Sequence, residues 1–262
     1  MTLVLDALWR FRRVLYASTL SELHKRYAGS ILGPIWPFLY PLLFLSAYLF
    51  LWMVVFNLRF PGMGRLGYVV YVFCGLVPFL FLSEALTSGA VSIRQNMQFI
   101  KSVIMPLELV PTRAVLVALS SHVVGLLLVA VLSGVNGTLS WRIALLPVVV
   151  GVYATGLVGA AWIAASLGVL VPDVAQVLNI GMMLLMFVSP IAFTPDMVPE
   201  RFRLTLSLNP VTYVVDVYRG VLIAGHDTRA FSAAAFAAMS AILFGSGAVL
   251  CARFKHLVVD LE

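Results

Sequence analysis

The sequence predicts an all-α membrane protein with a single transmembrane domain over residues 1–262. Hydrophobic residues make up 62% of the chain and charged residues only 11%, whereas soluble domains carry about 25% charged residues. The mean hydropathy of +1.04 agrees with this composition. Six runs, uncharged apart from Glu84, reach the roughly 20 residues that a helix needs to cross a bilayer. They predict six transmembrane helices, at residues 35–57, 67–91, 114–134, 143–171, 174–194 and 231–252.

The net charge of +6 is spread between these runs rather than gathered into one polar patch. Basic residues in such positions set topology and meet lipid headgroups, so the charge does not indicate a nucleic-acid partner. If all six runs cross, ten of the 17 Lys and Arg residues lie on the side of the two termini. This bias predicts that both termini are cytoplasmic. Cys74 and Cys251 lie far apart in apolar runs, which predicts neither a disulfide framework nor a metal site.

Residues 1–25 have the pattern of an amphipathic helix that lies in the membrane interface. Val4, Leu8, Phe11 and Leu15 share one helical face, and three arginines lie elsewhere. Such a helix buries its apolar face at the headgroup boundary without crossing the bilayer. The alternative is a segment that only sets topology.

The first predicted span carries an aromatic residue at every fourth position from Trp36 to Phe56. Four-residue spacing drifts by about 40° per step on a helix of 3.6 residues per turn, so the whole series cannot face one path. The deeper members are the candidate substrate-conduit residues, and helix packing is an equally good explanation for them. These candidates are Tyr40, Phe44, Tyr48 and Trp52.

The segment 195–225 is interrupted by three prolines and contains an apolar run, residues 211–223, that is too short to span. Irregular backbone at membrane depth is tolerated only inside protein or beside a water-filled cavity. We therefore predict short re-entrant helices that form an outer gate before the last span. The alternative is a surface loop with one helix on the headgroups.

Sequence motifs for nucleotide or metal chemistry are missing. The chain has no phosphate-binding loop, no dinucleotide fingerprint and no zinc-protease motif. If the protein does energy-dependent work, the energy therefore comes from another chain or from an ion gradient. Glu84 and His122 are the candidates for relay groups within the spans. For Glu84 we expect either a place facing the bundle interior or a cap on a backbone amide, and for His122 a hydrogen-bonded packing role.

An ordered set of short motifs resembles the permeases of type-2 ABC transporters that export O-antigen, capsular polysaccharide or teichoic acid. The first is Arg26-Tyr-x-Gly-Ser-x-Leu-Gly-Pro-x-Trp36. The others are Gly75-Leu-Val-Pro-Phe79, Ser83-Glu-Ala-Leu86, Asn96, Ile100-Lys101, Pro106-Leu-Glu108, Ser189-Pro-Ile191, Asn209-Pro210, Tyr218-Arg219 and Gly225. One departure is Pro172, which stands before Asp173 where this family commonly has an arginine.

The resemblance implies a transport subunit without an ATPase domain or cofactor of its own, with ATP and Mg bound by a partner chain. It implies a homodimer of permeases in the bacterial inner membrane that binds two separate ABC ATPase subunits and moves a lipid-linked polysaccharide among membrane lipids. A coupling helix at residues 94–103 would meet the ATPase. The implied coupling residues are Arg94, Asn96, Phe99 and Lys101. The implied outer-gate residues are Pro195, Pro199, Asn209, Pro210, Tyr218 and Arg219.

Two functions of other classes stay open. A stand-alone secondary carrier for a lipid or drug would work without an ATPase and depend on Glu84 or His122. A membrane-embedded transferase would need a clustered acidic or histidine site near the interface, which the sequence does not display.

Overall fold

The computed structural model describes residues 2–27, 30–55, 64–98 and 106–259. Within these ranges the chain is helical, with one isolated β-bridge between Leu139 and Ile223. The helices are α1 (Thr2–Arg10), α2 (Arg12–Tyr27), α3 (Trp36–Leu49), α4 (Arg65–Gln95), α5 (Leu109–Val135), α6 (Leu146–Leu170), α7 (Val174–Val188), α8 (Glu200–Leu208), α9 (Pro210–Leu222) and α10 (Ala230–Val259). The predicted all-α class is confirmed.

Among the described residues, four helical stretches are long and apolar enough to cross a membrane. They are Arg65–Gln95, Leu109–Val135, Trp141–Leu170 and Ala230–Phe254. The chain is therefore a multi-pass membrane protein. The first and fifth predicted windows instead contain shorter apolar helices, Phe38–Ala47 and Val174–Val188.

The fifth window differs from the prediction for a local reason. Helix α7 ends at Val188, because Ser189 adopts an extended conformation and Pro190, which has no backbone N–H, follows it. Fifteen helical residues extend about 22 Å. The expectation of a continuous helix to Thr194 is wrong. In the first window, α3 continues as a π-helix over Phe50–Val55, and the last two residues of that window lie outside the described ranges.

Helices α4, α6 and α10 pack closely because glycines line their contacts. A Cβ atom on Gly159 of α6 would lie 2.2 Å from the carbonyl oxygen of Leu243 in α10. A Cβ atom on Gly168 would lie 2.1 Å from the carbonyl oxygen of Ala90 in α4. Small residues that let backbones approach are the usual device of helix packing in membranes.

The N-terminal segment forms two helices that meet at Phe11, rather than one. Leu8, Phe11 and Leu15 do share a face, but that face packs against Leu109 and Val110 of α5. The expectation that this face lies on lipid is wrong, since another helix covers it. The side chain of Val4 lies outside the described residues.

Segment 195–225 contains the short helices α8 and α9, which have different environments. Helix α8 is largely exposed, and α9 packs into the main core through Val211, Val214 and Tyr218. The end of α9 is fixed to the α5–α6 connection, where the N–H of Ala224 donates to the carbonyl oxygen of Thr138 at 2.7 Å. Segment 195–225 is thus anchored at its C-terminal end.

Candidate functional site

A cavity of about 550 Å³ opens between helices α3, α4, α5 and α7. We call it the Arg26 cavity. Trp36 and Tyr40 of α3 contribute aromatic rings to its wall. Its polar lining consists of Arg26, Ser30, Ser83, Glu84, Thr87, Ser88, Ser121, His122 and Asn179. Aromatic faces, hydroxyl groups and one ion pair therefore meet in a single space.

The charges of this cavity come from two distant parts of the sequence. Nη1 of Arg26, in the last turn of α2, contacts Oε1 of Glu84 in α4. The two side chains are 41% and 22% exposed, so the pair stands at the edge of the cavity. Glu84 thus faces the cavity rather than a backbone amide. The sequence singled out both residues but did not indicate that they pair, because 58 positions separate them.

The predicted conduit residues divide into two kinds of environment. Tyr40 is 58% exposed and lines the Arg26 cavity. Phe44 lies one turn further, with ring centroids 6.2 Å apart, and packs against the main core. The side chains of Tyr48 and Trp52 lie outside the described residues. The 40° drift per step explains why neighbouring members of the series face different surroundings.

His122 of α5 lies in the wall of the Arg26 cavity and contacts α9. Its Nε2 atom lies 3.0 Å from Oη of Tyr218 in α9, and its ring stacks on Phe81 with centroids 4.6 Å apart. The side chain is 2% exposed. The prediction that His122 is a hydrogen-bonded packing residue is confirmed. The sequence did not predict that this residue also lines a cavity.

Arg219 is a buried cation held mainly by backbone oxygens. Its Nη2 donates to the carbonyl oxygen of Ile191 at 2.8 Å, and its guanidinium carbon lies 3.5 Å from the ring centroid of Tyr71. Ile191 belongs to the irregular segment after α7, so its carbonyl oxygen has no partner within a helix. Arg219 supplies the hydrogen bond that this buried carbonyl oxygen needs. Arg219 lines a second cavity of about 590 Å³, which we call the Arg219 cavity.

Asp216 is the carboxylate of the Arg219 cavity with the most described hydrogen bonds. Its Oδ1 lies 2.8 Å from Nε2 of His226, and its Oδ2 accepts from the N–H of Arg229 at 3.3 Å. Partial burial alone would raise the pKa of this carboxyl. Hydrogen bonds from His226 and Ser232 outweigh that effect and hold the pKa below its ordinary value.

The remaining predicted outer-gate residues shape the backbone of segment 195–225. Pro195 begins a 3₁₀ turn and Pro199 stands at the N-cap of α8. Pro210 is the first residue of α9, and the Asn209 side chain caps that helix by accepting from the N–H of Val211 at 2.9 Å. Asn209 at the N-cap and Pro210 at the first helical position fit the known preferences of helix N-termini.

The end of α4 is held by a polar clasp that the sequence did not reveal. Nη2 of Arg113 donates to Oδ1 of Asn96 at 3.0 Å and lies 3.9 Å from Oε2 of Glu22 in α2. Of the predicted coupling residues, Arg94 is exposed and Asn96 is half-buried. Phe99 and Lys101 lie outside the described ranges. These contacts join α2, α4 and α5 where the predicted coupling segment begins.

Metal chemistry has no visible basis in the part of the chain that the structure describes. No group of three or more His, Cys, Asp or Glu side chains is placed to hold an ion there. The described polar groups form ion pairs and hydrogen-bond networks around two cavities instead.

Long apolar helices around cavities with polar linings define a multi-pass membrane protein. The chain belongs to the ABC-2 type transporter family, whose model matches residues 13–223. It is therefore the membrane permease of a type-2 ABC transporter. It is similar to the O-antigen export system permease protein RfbA of Myxococcus xanthus, with 28% identity over 90% of each chain. Two permeases of the same name from Klebsiella pneumoniae are 26% and 25% identical, each over 81% of both chains.

Proposed function

We propose that this chain is the permease half of an ATP-driven exporter that moves a lipid-linked, O-antigen-like polysaccharide across the bacterial cytoplasmic membrane. The names of the relatives and the extent of the match support this substrate class. The observation that carries the proposal is the composition of the Arg26 cavity, where a cation, hydroxyl groups and aromatic rings line one space.

This composition fits both parts of the substrate. The aromatic faces of Trp36 and Tyr40 suit the apolar C–H faces of sugar rings, and the serine and threonine hydroxyls exchange hydrogen bonds with sugar hydroxyls. Arg26 suits the phosphate groups of a lipid anchor, because a guanidinium binds phosphate through paired N–H donors. Glu84 balances this cation until the phosphate takes its place.

A second copy of the chain completes the conduit in this proposal. Helix α7 has no buried residue, and Val177, Ile180 and Leu184 are each more than half exposed. Its neighbour across the Arg26 cavity, α3, exposes Tyr40 and Leu43 in the same way. Two such faces meeting around a two-fold axis would enclose a path. The homodimer is thus supported by an open cavity wall on each copy.

The proposed topology has six crossings with both termini in the cytoplasm. Helices α3 and α7 would cross as the first and fifth segments, with the irregular Ser189–Thr194 segment extending α7. Helices α1 and α2 would lie in the interface on the face that bears Trp9, Tyr16 and Leu20, which are exposed. Helices α8 and α9 would form the outer gate, with α9 inserted among the spans.

Energy would come from two copies of a separate ABC ATPase, which bind ATP and Mg. The coupling residues Arg94, Asn96, Phe99 and Lys101 would meet that partner. The contact of Arg113 with Asn96 and Glu22 supports this assignment, because movement at the end of α4 would reach α2 and α5 directly. Charge reversal at Arg94 and Lys101 should weaken co-purification of the ATPase, and full retention would overturn the assignment.

The decisive experiment is complementation in cells that lack their own permease gene. Surface polysaccharide should return when the chain is supplied with its ATPase and should be absent when the ATPase has a defective phosphate loop. Export without ATPase activity would instead identify a stand-alone carrier. That alternative is not favoured, because Glu84 pairs with Arg26 and His122 with Tyr218. Capsular polysaccharide or teichoic acid on the surface would place the chain in another branch of the family.

The same assay separates conduit residues from packing residues. Tyr40→Ala should slow export of long chains while leaving the protein folded, because Tyr40 lines the cavity and is exposed. Phe44→Ala should mainly lower stability, because Phe44 packs against the core. Unchanged export in all single variants of Tyr40, Phe44, Tyr48 and Trp52, and in the combined variant, would refute an aromatic conduit.

A further inference from the structure

The Arg219 cavity is separate from the Arg26 cavity and has a different chemistry. It is bounded by the segment after α7, by α8 and α9, and by the start of α10. Its volume of about 590 Å³ lies within the range of about 300–1,000 Å³ that is typical of small-molecule sites. No residue of the aromatic series in α3 lines it.

The charges around this cavity are balanced. Its lining contains three arginines and three aspartates, namely Arg203, Arg219, Arg229, Asp196, Asp216 and Asp227. A phosphate group entering this space would meet carboxylates as well as guanidinium groups and would be repelled by the former. A neutral ligand with many hydroxyl groups finds both donors and acceptors there, because carboxylates accept and guanidinium groups donate.

The groups best placed to contact a ligand are held in fixed positions. Asp216 is oriented by His226 and by the Arg229 N–H, and its side chain is still 19% exposed. The rings of Tyr213 and Phe231 pack edge to face with centroids 5.6 Å apart. Phe231 is 70% exposed, so it offers a ring face beside the ordered carboxylate. An aromatic face next to planar polar groups is suited to a sugar ring, whose C–H face stacks while its hydroxyls hydrogen-bond.

We propose that the Arg219 cavity is a second binding site, specific for a neutral sugar residue, at the outer end of the permease. The proposal rests on the function proposed above, which supplies the glycan and the direction of transport. The site would hold a sugar of the emerging chain between α9 and α10. A chain held there would be slower to slide back while the ATPases reset.

The test uses the full-length permease in lipid nanodiscs and measures binding by saturation-transfer NMR. The probes are glucose, galactose, mannose and N-acetylglucosamine, each titrated separately, with inorganic pyrophosphate followed by ³¹P NMR. At least one sugar should give a saturable signal. Phe231→Ala should weaken that signal at least fivefold, and Asp216→Asn should weaken it similarly. Both side chains are at least partly exposed, which makes misfolding a small concern.

Matched variants identify the site. Phe202→Ala removes an exposed ring from α8 that does not line the cavity, and it should leave the signal unchanged. Tyr40→Ala alters only the Arg26 cavity and should also leave the Phe231-dependent signal intact.

The proposal is overturned if no sugar binds, if Phe231→Ala binds as well as the unaltered protein, or if pyrophosphate alone binds. Because binding is measured without transport, complementation with no sugar binding refutes this site alone. Failed complementation refutes the proposed function.

Discussion

His122 of α5 and Tyr218 of α9 are joined by one buried hydrogen bond. The Nε2–Oη distance is 3.0 Å, with His122 in the wall of the Arg26 cavity and Tyr218 next to Arg219 in α9. Both side chains are almost fully buried. The contact therefore fixes the position of α9 relative to α5.

Removing the Tyr218 hydroxyl should destabilise the protein. Tyr218→Phe leaves Nε2 of His122 without its partner in a buried place, and such a loss costs about 1–3 kcal/mol. The melting temperature in detergent measures the effect. In a double-mutant cycle, His122→Phe combined with Tyr218→Phe should cost less than the sum of the single changes. If the stability losses of the two single variants add up to that of the double variant, the hydrogen bond does not contribute to stability.

The Arg26–Glu84 pair should matter more for transport than for stability. Both side chains are partly exposed, and ion pairs of that kind contribute only about 0–1 kcal/mol. Arg26→Gln should therefore leave the melting temperature nearly unchanged and reduce polysaccharide export several-fold, since it removes the cation of the cavity. Arg253→Gln, at an exposed position of α10, is the matched control. Equal export by both variants would argue against anchor binding at Arg26.

Hydropathy predicted the long helices well because burial in lipid demands continuous apolar sequence. Hydropathy overestimated the length of α7, because Ser189 and Pro190 end this helix within an apolar run. The face of Leu8, Phe11 and Leu15 was recognised as apolar, but one-dimensional periodicity does not reveal whether lipid or another helix covers it. Here α5 covers it.

The candidate sites were predicted less completely for a related reason. Of the aromatic series that local spacing made visible in the sequence, Trp36 and Tyr40 line the Arg26 cavity. The partners that give the cavities their charge come from distant positions, as with Arg26 and Glu84. Nothing near Arg113 in the sequence indicates its contacts with Asn96 and Glu22.

Close packing of α6 and α10 makes a strong prediction about two neighbouring glycines. A Cβ atom on Gly247 would lie 2.2 Å from the carbonyl oxygen of Gly159, whereas a Cβ atom on Gly245 meets nothing within 4 Å. Gly247→Ala should destabilise the protein by about 1–3 kcal/mol, as overpacking does. Gly245→Ala should be neutral or stabilising by up to about 1 kcal/mol, because alanine favours helix. Melting curves of the two purified variants compare them directly, and similar melting temperatures would contradict the packing seen between α6 and α10.

Asp216 should make the stability of the folded protein sensitive to acid. Its pKa in the folded protein lies below the ordinary value of 3.8, so the stability that it contributes is fully present above that value. This stability is lost as the pH falls through the lower folded pKa, where the carboxylate takes up a proton and its attraction to His226 ends. The difference in melting temperature between the unaltered protein and Asp216→Asn should thus be largest near pH 7 and should shrink toward pH 3.

Asp173→Asn, in the exposed turn after α6, controls for general effects of acid. A difference that stays constant between pH 7 and pH 3 would show that the charge of Asp216 does not stabilise the fold.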